Sequence, residues 1–136
     1  MKLLFKLLIS ITMLIVAANA QTIKVGTYAK YPPFEFVNEQ NQITGFDMDL
    51  MAEIAKKVGF KFEIVNISFD SLIPALKAGK IDIIAAAMSA TPERLKAVDF
   101  SKPYYHTMNL FIKRADNKEL IKFEQLEGKK ISAQLG

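Results

Sequence analysis

The chain of 136 residues contains no cysteine and a single histidine, His106. Without cysteine it has neither disulfides nor thiol chemistry, and one histidine does not suffice for the usual zinc sites. These absences predict a domain that depends on its apolar core, with no metal and no cofactor. We expect His106 to be a packed or solvated side chain rather than a catalytic base.

Long apolar runs are confined to the first twenty residues. Lys2 and Lys6 precede an apolar stretch at 7–17, and Ala18-Asn19-Ala20 has the small residues of a cleavage site. The run is shorter than the roughly 20 residues that a membrane-spanning helix needs, although an anchor is the alternative. We therefore expect an export signal at 1–20, cleaved after Ala20, and an exported protein.

A strong excess of charge of one sign is also missing. The 18 basic and 14 acidic side chains give a net charge of +4, and Lys2 and Lys6 of the expected signal contribute half of it. The rest of the chain has no block of lysine and arginine and no basic residues interleaved with aromatics. Nothing in it therefore favours nucleic-acid binding.

What the sequence does contain is an alternation of strand and helix patterns. Strands are predicted at 23–27, 60–67 and 81–86, helices at 47–58 and after Ser68, and a small hairpin at 34–37 and 42–44. Pro74 is awkward in the second helix, so either its first turn is irregular or regular helix starts nearer the proline. This order predicts an α/β layer with a mostly parallel sheet flanked by helices.

Residues 87–94 combine a hydroxyl, a helix start and a guanidinium. Thr91 is a favourable N-cap, and Pro92 suits the first helical position, so free N–H groups are expected to face Ser89. Arg94 adds a planar fork of donors that matches a carboxylate. The pattern indicates a seat for a small carboxylate, and the alternative is an ordinary short helix with a solvated arginine.

The position of this segment favours the carboxylate seat. Ligands of parallel α/β sheets bind beyond the carboxyl ends of the strands. Those ends are followed by residues 27–31, 68–69 and 87–89. Three loops are therefore expected to converge on one edge of the sheet.

Seven motifs, in this order and spacing, resemble those of the periplasmic solute-binding proteins of polar amino-acid ABC transporters, family 3. They are YPPFEF at 31–36, GFDMDL at 45–50, FDSLIPAL at 69–76, GKID at 79–82, TPER at 91–94, VDFS at 98–101 and PYY at 103–105. The resemblance implies a periplasmic-binding-protein-like (type II) lobe. It also implies a monomer that closes on a free amino acid and presents it to an inner-membrane ABC permease.

The resemblance implies roles for individual residues. Tyr31 and Phe69 sandwich the ligand side chain, unless they are simply packing aromatics. The carbonyl of Ala87 accepts from the α-ammonium. Ser89, through its N–H and hydroxyl, and Arg94 bind the α-carboxylate.

Other positions depart from the family pattern or lie at its margin. Tyr28 stands where members that bind basic amino acids often carry an acid, so specificity for lysine or arginine is neither supported nor excluded. Gln134 falls where the second lobe begins to contact ligand. The acids Asp47 and Asp49 are assigned to capping and dipole pairing at a helix start.

The resemblance also sets the expected domain organisation. Residues 21–114 form a first lobe that lacks its return segment, and residues 115–136 form the crossover and the start of an essentially missing second lobe. We expect a fragment or truncated chain that alone binds amino acids weakly or not at all, and that is not an enzyme. A dehydratase-like enzyme for small carboxylates and a sensory ligand-binding domain stay open as alternatives.

Overall fold

A computed structural model describes residues 22–108 and 110–133, and the chain divides into one unit that ends at Val98 and another that begins at Asp99. The expected export signal at 1–20 and Gln134 lie outside the described residues. The predicted boundary between residues 114 and 115 stays a prediction.

The elements of the first unit alternate as the sequence pattern predicts. In chain order they are β1 (Thr22–Thr27), β2 (Lys30–Tyr31), β3 (Glu35–Val37), β4 (Ile43–Thr44), α1 (Phe46–Val58), β5 (Lys61–Asn66), α2 (Phe69–Lys77), β6 (Ile83–Ile84) and α3 (Pro92–Leu95). The second unit contains a 3₁₀ helix at Phe123–Leu126. None of the helices in the described part of the chain is long and apolar enough to cross a membrane.

Three strands form a parallel sheet with β1 in the centre, between β5 and β6. β1 pairs with β5 over its whole length, from Thr22 opposite Lys61 to Thr27 opposite Asn66. The predicted parallel sheet is therefore confirmed. β3 and β4 form the predicted hairpin, and β2, which the sequence placed in a loop, adds a third antiparallel strand.

The strand predicted at 81–86 is shorter than expected, since regular pairing is limited to Ile83–Ile84. The Asp82 backbone N–H donates to the Lys24 carbonyl at 2.8 Å. The Lys24 N–H in turn donates to the Asp82 carboxylate at 2.8 Å. A side-chain oxygen thus takes the place of a backbone carbonyl, and the regular ladder begins only after this position.

The core consists of two clusters, one on each face of the parallel sheet. Val25, Met48, Met51 and Ala85 form the first, and Leu72, Ile81 and Ala86 form the second. Consecutive strand residues point to opposite faces, so Val25 faces α1 while Gly26 faces α2. A Cβ atom at Gly26 would overlap the end of the Ile81 side chain, which would have to shift. Helices therefore flank the sheet on both sides, as predicted.

Pro74 lies inside α2 without preventing the helix from starting early. The helix begins at Phe69, so the alternative of a start nearer the proline is wrong. The Ser71 N–H donates to the Ser68 carbonyl at 2.9 Å, three residues back, which makes the first turn tighter than regular α-helix. This is the irregular first turn that the sequence left open.

Candidate functional site

The loops that follow β1 and β5 are joined at the carboxyl edge of the parallel sheet. The Ile67 N–H donates to the Thr27 carbonyl at 3.0 Å. The Ala29 N–H donates to the Asn66 side-chain oxygen at 3.1 Å. These two bonds hold the loop with Tyr28 beside the loop that leads to Phe69.

The loop after β6 joins them through the core. Tyr28, Phe69 and Met88 are half-buried and pack against the same cluster of Leu72, Ile81 and Ala86. Each of the three comes from a different loop. The predicted convergence of three loops on one sheet edge is therefore present.

Arg94 extends from α3 to this edge. Its Cζ atom lies 5.0 Å from the centroid of the Phe69 ring. Its Nη1 group donates to the Ser89 carbonyl at 3.2 Å. A guanidinium carries five N–H donors, and this hydrogen bond uses one of them. Arg94 is thus held in place by an aromatic ring and a carbonyl, with donor capacity left for an anion.

The turn before Arg94 has the predicted N-cap, but the helix that it begins is short. Thr91 Oγ1 accepts from the Arg94 backbone N–H at 3.3 Å, which confirms the N-cap. α3 has only four residues, so its dipole is small. The carboxylate seat therefore depends on the Arg94 guanidinium and on Ser89, which is exposed, more than on a helix terminus.

Ala87 has a backbone conformation that is unusual for a residue with a side chain, with φ of 45°. Its N–H donates to Asp47 Oδ2 at 2.6 Å. Asp47 lies in the first turn of α1, as expected, but no side chain caps that helix at Gly45, and the Asp47 carboxylate bonds outside the helix. The Asp47 N–H already donates to the Phe34 carbonyl at 3.0 Å, and the side chain, only 1% exposed, supports Ala87 instead.

The sequence does contain a signal for this role of Asp47. Asp47 precedes the buried residues Met51 and Ala55 by four and eight positions, and therefore lies on the buried face of α1. A carboxylate on an apolar helix face needs a partner inside the protein. That spacing, rather than the charge of Asp47, is the feature that indicates a buried role.

Glu35 was not predicted as a site residue, and it is buried beside Asp47. Its side chain is 1% exposed. Burial raises the pKa of Glu35 from 4.5 to about 8, and the negative charge of Asp47 and a hydrogen bond shared with it act in the same direction. Glu35 is therefore mostly protonated near neutral pH.

The remaining predicted residues are less tightly assembled. Tyr31 is 42% exposed and stacks on Phe34, with ring centroids 5.7 Å apart. Among the described residues, no ring contact joins Tyr31 to Phe69. Lys30 Nζ lies 5.7 Å from the centroid of the Tyr28 ring, so an intramolecular cation already occupies one face of that ring. Gln134 lies outside the described residues.

The guanidinium, peptide groups and aromatic rings lie at the carboxyl edge of a parallel sheet, which is where α/β proteins commonly bind small molecules. The chain belongs to the bacterial extracellular solute-binding proteins, family 3, and the sequence model of that family matches residues 23–132. The family expected from the motifs is confirmed.

Named relatives point the same way. The chain is 56% identical over 120 residues to a probable histidine-binding protein of Campylobacter jejuni, a match that covers 88% of this chain and 46% of the relative. It is 42% identical over 120 residues to a putative ABC transporter arginine-binding protein 2 of Escherichia coli, covering 88% of this chain and 49% of that protein. The chain thus spans about half the length of the curated relatives it matches. Both relatives are named as amino-acid-binding proteins, and the second as part of an ABC transporter.

Solved structures include a single lobe of this kind. The arginine-bound form of domain 1 from TmArgBP, an arginine-binding protein of T. maritima, is 50% identical to this chain. The match has a TM-score of 0.60 and covers 62% of this chain and 67% of that domain. The similarity confirms the α/β lobe fold.

Proposed function

We propose that this chain supplies the first ligand-binding lobe of the extracytoplasmic component of an ABC importer for a polar amino acid. In this proposal the signal at 1–20 directs export to the periplasm and is cleaved after Ala20. Residues 21–114 form the lobe as a monomer, and an inner-membrane permease receives the ligand. The observation that carries the proposal is the Arg94 guanidinium held over Phe69 at the sheet edge.

The amino-acid backbone of the ligand is bound by the loop after β6. Arg94 and Ser89 donate to the α-carboxylate, and the Ala87 carbonyl accepts from the α-ammonium. Hydrogen bonds to charged groups contribute about 1.5 to 3 kcal/mol each, so these contacts dominate the binding free energy. The fixed position of the guanidinium supports this assignment, because little rotamer freedom is lost when an anion binds.

The ligand side chain lies among the aromatic residues Tyr28, Tyr31 and Phe69. A guanidinium or an imidazole is planar and stacks on such rings. The names of the histidine- and arginine-binding relatives support a ligand of this type. Gln134 is proposed to contribute from the beginning of the second lobe.

A single lobe is sufficient for measurable binding in this proposal. The expectation of weak or no binding by a lobe-one chain was based on the polar shell that a second lobe supplies. In a crystal structure, arginine is bound to domain 1 of a relative that is 50% identical to this chain. That structure supports binding of an amino acid by a single lobe. We expect this chain to bind with lower affinity than a two-lobed protein.

The test is calorimetric titration of the full chain with L-arginine and with L-histidine. Arg94→Ala is expected to weaken binding of whichever ligand is bound by about tenfold to a hundredfold, because a charge-assisted contact is lost. Arg94→Lys is expected to be intermediate, since an ammonium keeps the charge but not the planar fork.

The chain offers a matched control in Arg114. Its side chain is 84% exposed and pairs with Asp116 in the second unit. Arg114→Ala removes the same charge and is expected to leave affinity unchanged. Equal losses in the Arg94 and Arg114 variants, or none in either, would contradict the proposed carboxylate seat.

A further inference from the structure

Glu35, Asp47 and Ala87 form a buried chain of contacts behind the proposed ligand site. Glu35 on β3 follows Phe34, whose carbonyl accepts from the Asp47 N–H on α1 at 3.0 Å. Asp47 Oδ2 accepts from the Ala87 N–H at 2.6 Å, across 40 residues of sequence. Both carboxyl side chains are 1% exposed. The antiparallel hairpin is thereby connected to the loop that carries Ser89.

Ala87 needs such a support. A φ of 45° is strained for a residue with a Cβ atom, and persists only where the surrounding structure fixes it. The short hydrogen bond to a carboxylate supplies that constraint, because charge-assisted bonds in a buried setting are strong. The orientation of the Ala87 peptide in turn sets the direction of the next two residues, up to Ser89.

Asp47 needs a support of its own. A buried carboxylate is costly, and each hydrogen-bond donor that faces it reduces that cost. A protonated Glu35 is placed to supply such a donor, since two carboxyl groups can share a hydrogen bond only when one of them carries a proton. Glu35 Oε2 is buried with no hydrogen-bond partner among the described residues, which a neutral carboxyl group tolerates better than an anion.

We propose that Glu35 and Asp47 are positioning residues for the ligand site, which hold Ala87 in its left-handed conformation and thereby orient the Ala87 and Ser89 peptide groups towards the ligand. Neither residue touches the ligand in this proposal. The inference rests on the proposed function only in that a ligand is bound at residues 87–94. The arrangement of the three residues stands without it.

The experiment compares Glu35→Leu with Glu35→Gln in the full chain. Leucine removes the donor to Asp47 while filling similar volume, whereas the glutamine amide still donates. The first measurement is hydrogen exchange of the Ala87 amide by NMR, without ligand. We expect exchange to be about tenfold or more faster in Glu35→Leu than in the wild type, and nearly unchanged in Glu35→Gln.

The second measurement is the affinity for L-arginine and L-histidine by calorimetry. Glu35→Leu is expected to weaken binding about tenfold, and Glu35→Gln to stay within about twofold of the wild type. Met51→Val is the control, because it removes buried volume from the same helix α1 without touching the Glu35 to Ala87 chain. It is expected to lower stability while leaving the Ala87 exchange and the affinity unchanged.

The outcomes separate this inference from the proposed function. A wild-type chain that binds neither amino acid would refute the proposed function, while the Ala87 exchange rates would still test the carboxyl pair. Unchanged Ala87 exchange in Glu35→Leu would overturn the inference, as would equal affinity losses in Glu35→Leu and Glu35→Gln. If Glu35→Leu fails to fold, faster Ala87 exchange or weaker binding in Glu35→Gln than in Met51→Val would also overturn it.

Discussion

The guanidinium of Arg94 lies over the ring of Phe69, with 5.0 Å between Cζ and the ring centroid. Phe69 begins α2 after β5, and Arg94 belongs to α3 after β6, so the contact joins two loops at the same sheet edge. A cation over an aromatic face contributes about 0.5 to 1 kcal/mol at a partly exposed site. The contact favours this position of the guanidinium, and leaves its remaining donors available.

Phe69→Leu tests this contact. Leucine keeps an apolar side chain but removes the aromatic face, so we expect L-arginine or L-histidine to bind about twofold to fivefold more weakly by calorimetry. Phe69→Trp is expected to retain affinity, since tryptophan offers a larger aromatic face. Phe60→Leu is the matched control, because Phe60 packs against the opposite core cluster. A loss as large in Phe60→Leu would show that the effect is general destabilisation.

The fold and half of this site were predictable from the sequence for a physical reason. Strand and helix patterns follow from side-chain periodicity, and parallel strands bring their carboxyl ends to one edge. Phe69 and Arg94 each follow such an end, so their proximity could be expected. The cap of Thr91 on Arg94 is local, and was also predictable.

The support behind the site was not predicted, because it depends on contacts between distant residues. Ala87 and Asp47 are 40 positions apart, and no periodicity relates them. Alanine rarely adopts a left-handed conformation, so the sequence gives no reason to expect one at Ala87. The late start of β6 likewise results from a bond between Lys24 and the distant Asp82 side chain.

The raised pKa of Glu35 predicts a pH dependence of stability. Between the unfolded value of 4.5 and the folded value of about 8, the folded chain holds a proton on Glu35 that the unfolded chain releases. The stabilising contribution of this group is therefore complete below about pH 4.5 and is lost as the pH rises through about 8. Its size is on the order of a few kcal/mol.

Urea unfolding of the wild type and of Glu35→Gln at several pH values isolates this contribution. The free energy of unfolding of the wild type, relative to the variant, is expected to fall between pH 5 and about pH 8 and then level off. Both proteins keep Asp47 and keep Tyr31, which lies opposite Glu35 on β2. The comparison therefore isolates the Glu35 carboxyl group. Parallel pH curves for the two proteins would contradict the raised pKa.

Gly45 predicts a large effect of a single methyl group on stability. Its φ is 126°, and a Cβ atom there would overlap the Phe34 carbonyl oxygen. Because that oxygen belongs to the backbone and accepts from the Asp47 N–H, it cannot move without loss. Gly45→Ala is expected to lower the free energy of unfolding by about 3 kcal/mol or more in urea titration.

Gly59 is the control for Gly45. Its φ is 87°, and no atom lies within 4 Å of the position that a methyl group would take, so Gly59→Ala adds backbone strain without a clash. We expect that variant to cost about 1 to 2 kcal/mol. Similar losses at both positions would mean that backbone conformation alone, and not the contact with Phe34, requires the glycine at position 45.

Tyr28 predicts how ligand preference can be changed. Tyr28→Asp introduces a carboxylate at the edge where the ligand side chain is proposed to lie, and is expected to raise the affinity for L-arginine over neutral L-glutamine about threefold to tenfold. Asparagine has the shape of aspartate without its charge, so Tyr28→Asn is expected to show no such preference. Calorimetric titration of both variants with both amino acids measures the ratio.

Lys30 sets a limit on that gain. Its Nζ atom lies 5.7 Å from the Tyr28 ring centroid, so it is close enough to pair with a new carboxylate at position 28 and to neutralise it. Tyr28→Asp combined with Lys30→Met is therefore expected to prefer L-arginine more strongly than Tyr28→Asp alone. If Lys30→Met alone shifts the preference as far as the double variant does, the effect comes from removing the lysine, and Tyr28 does not face the ligand side chain.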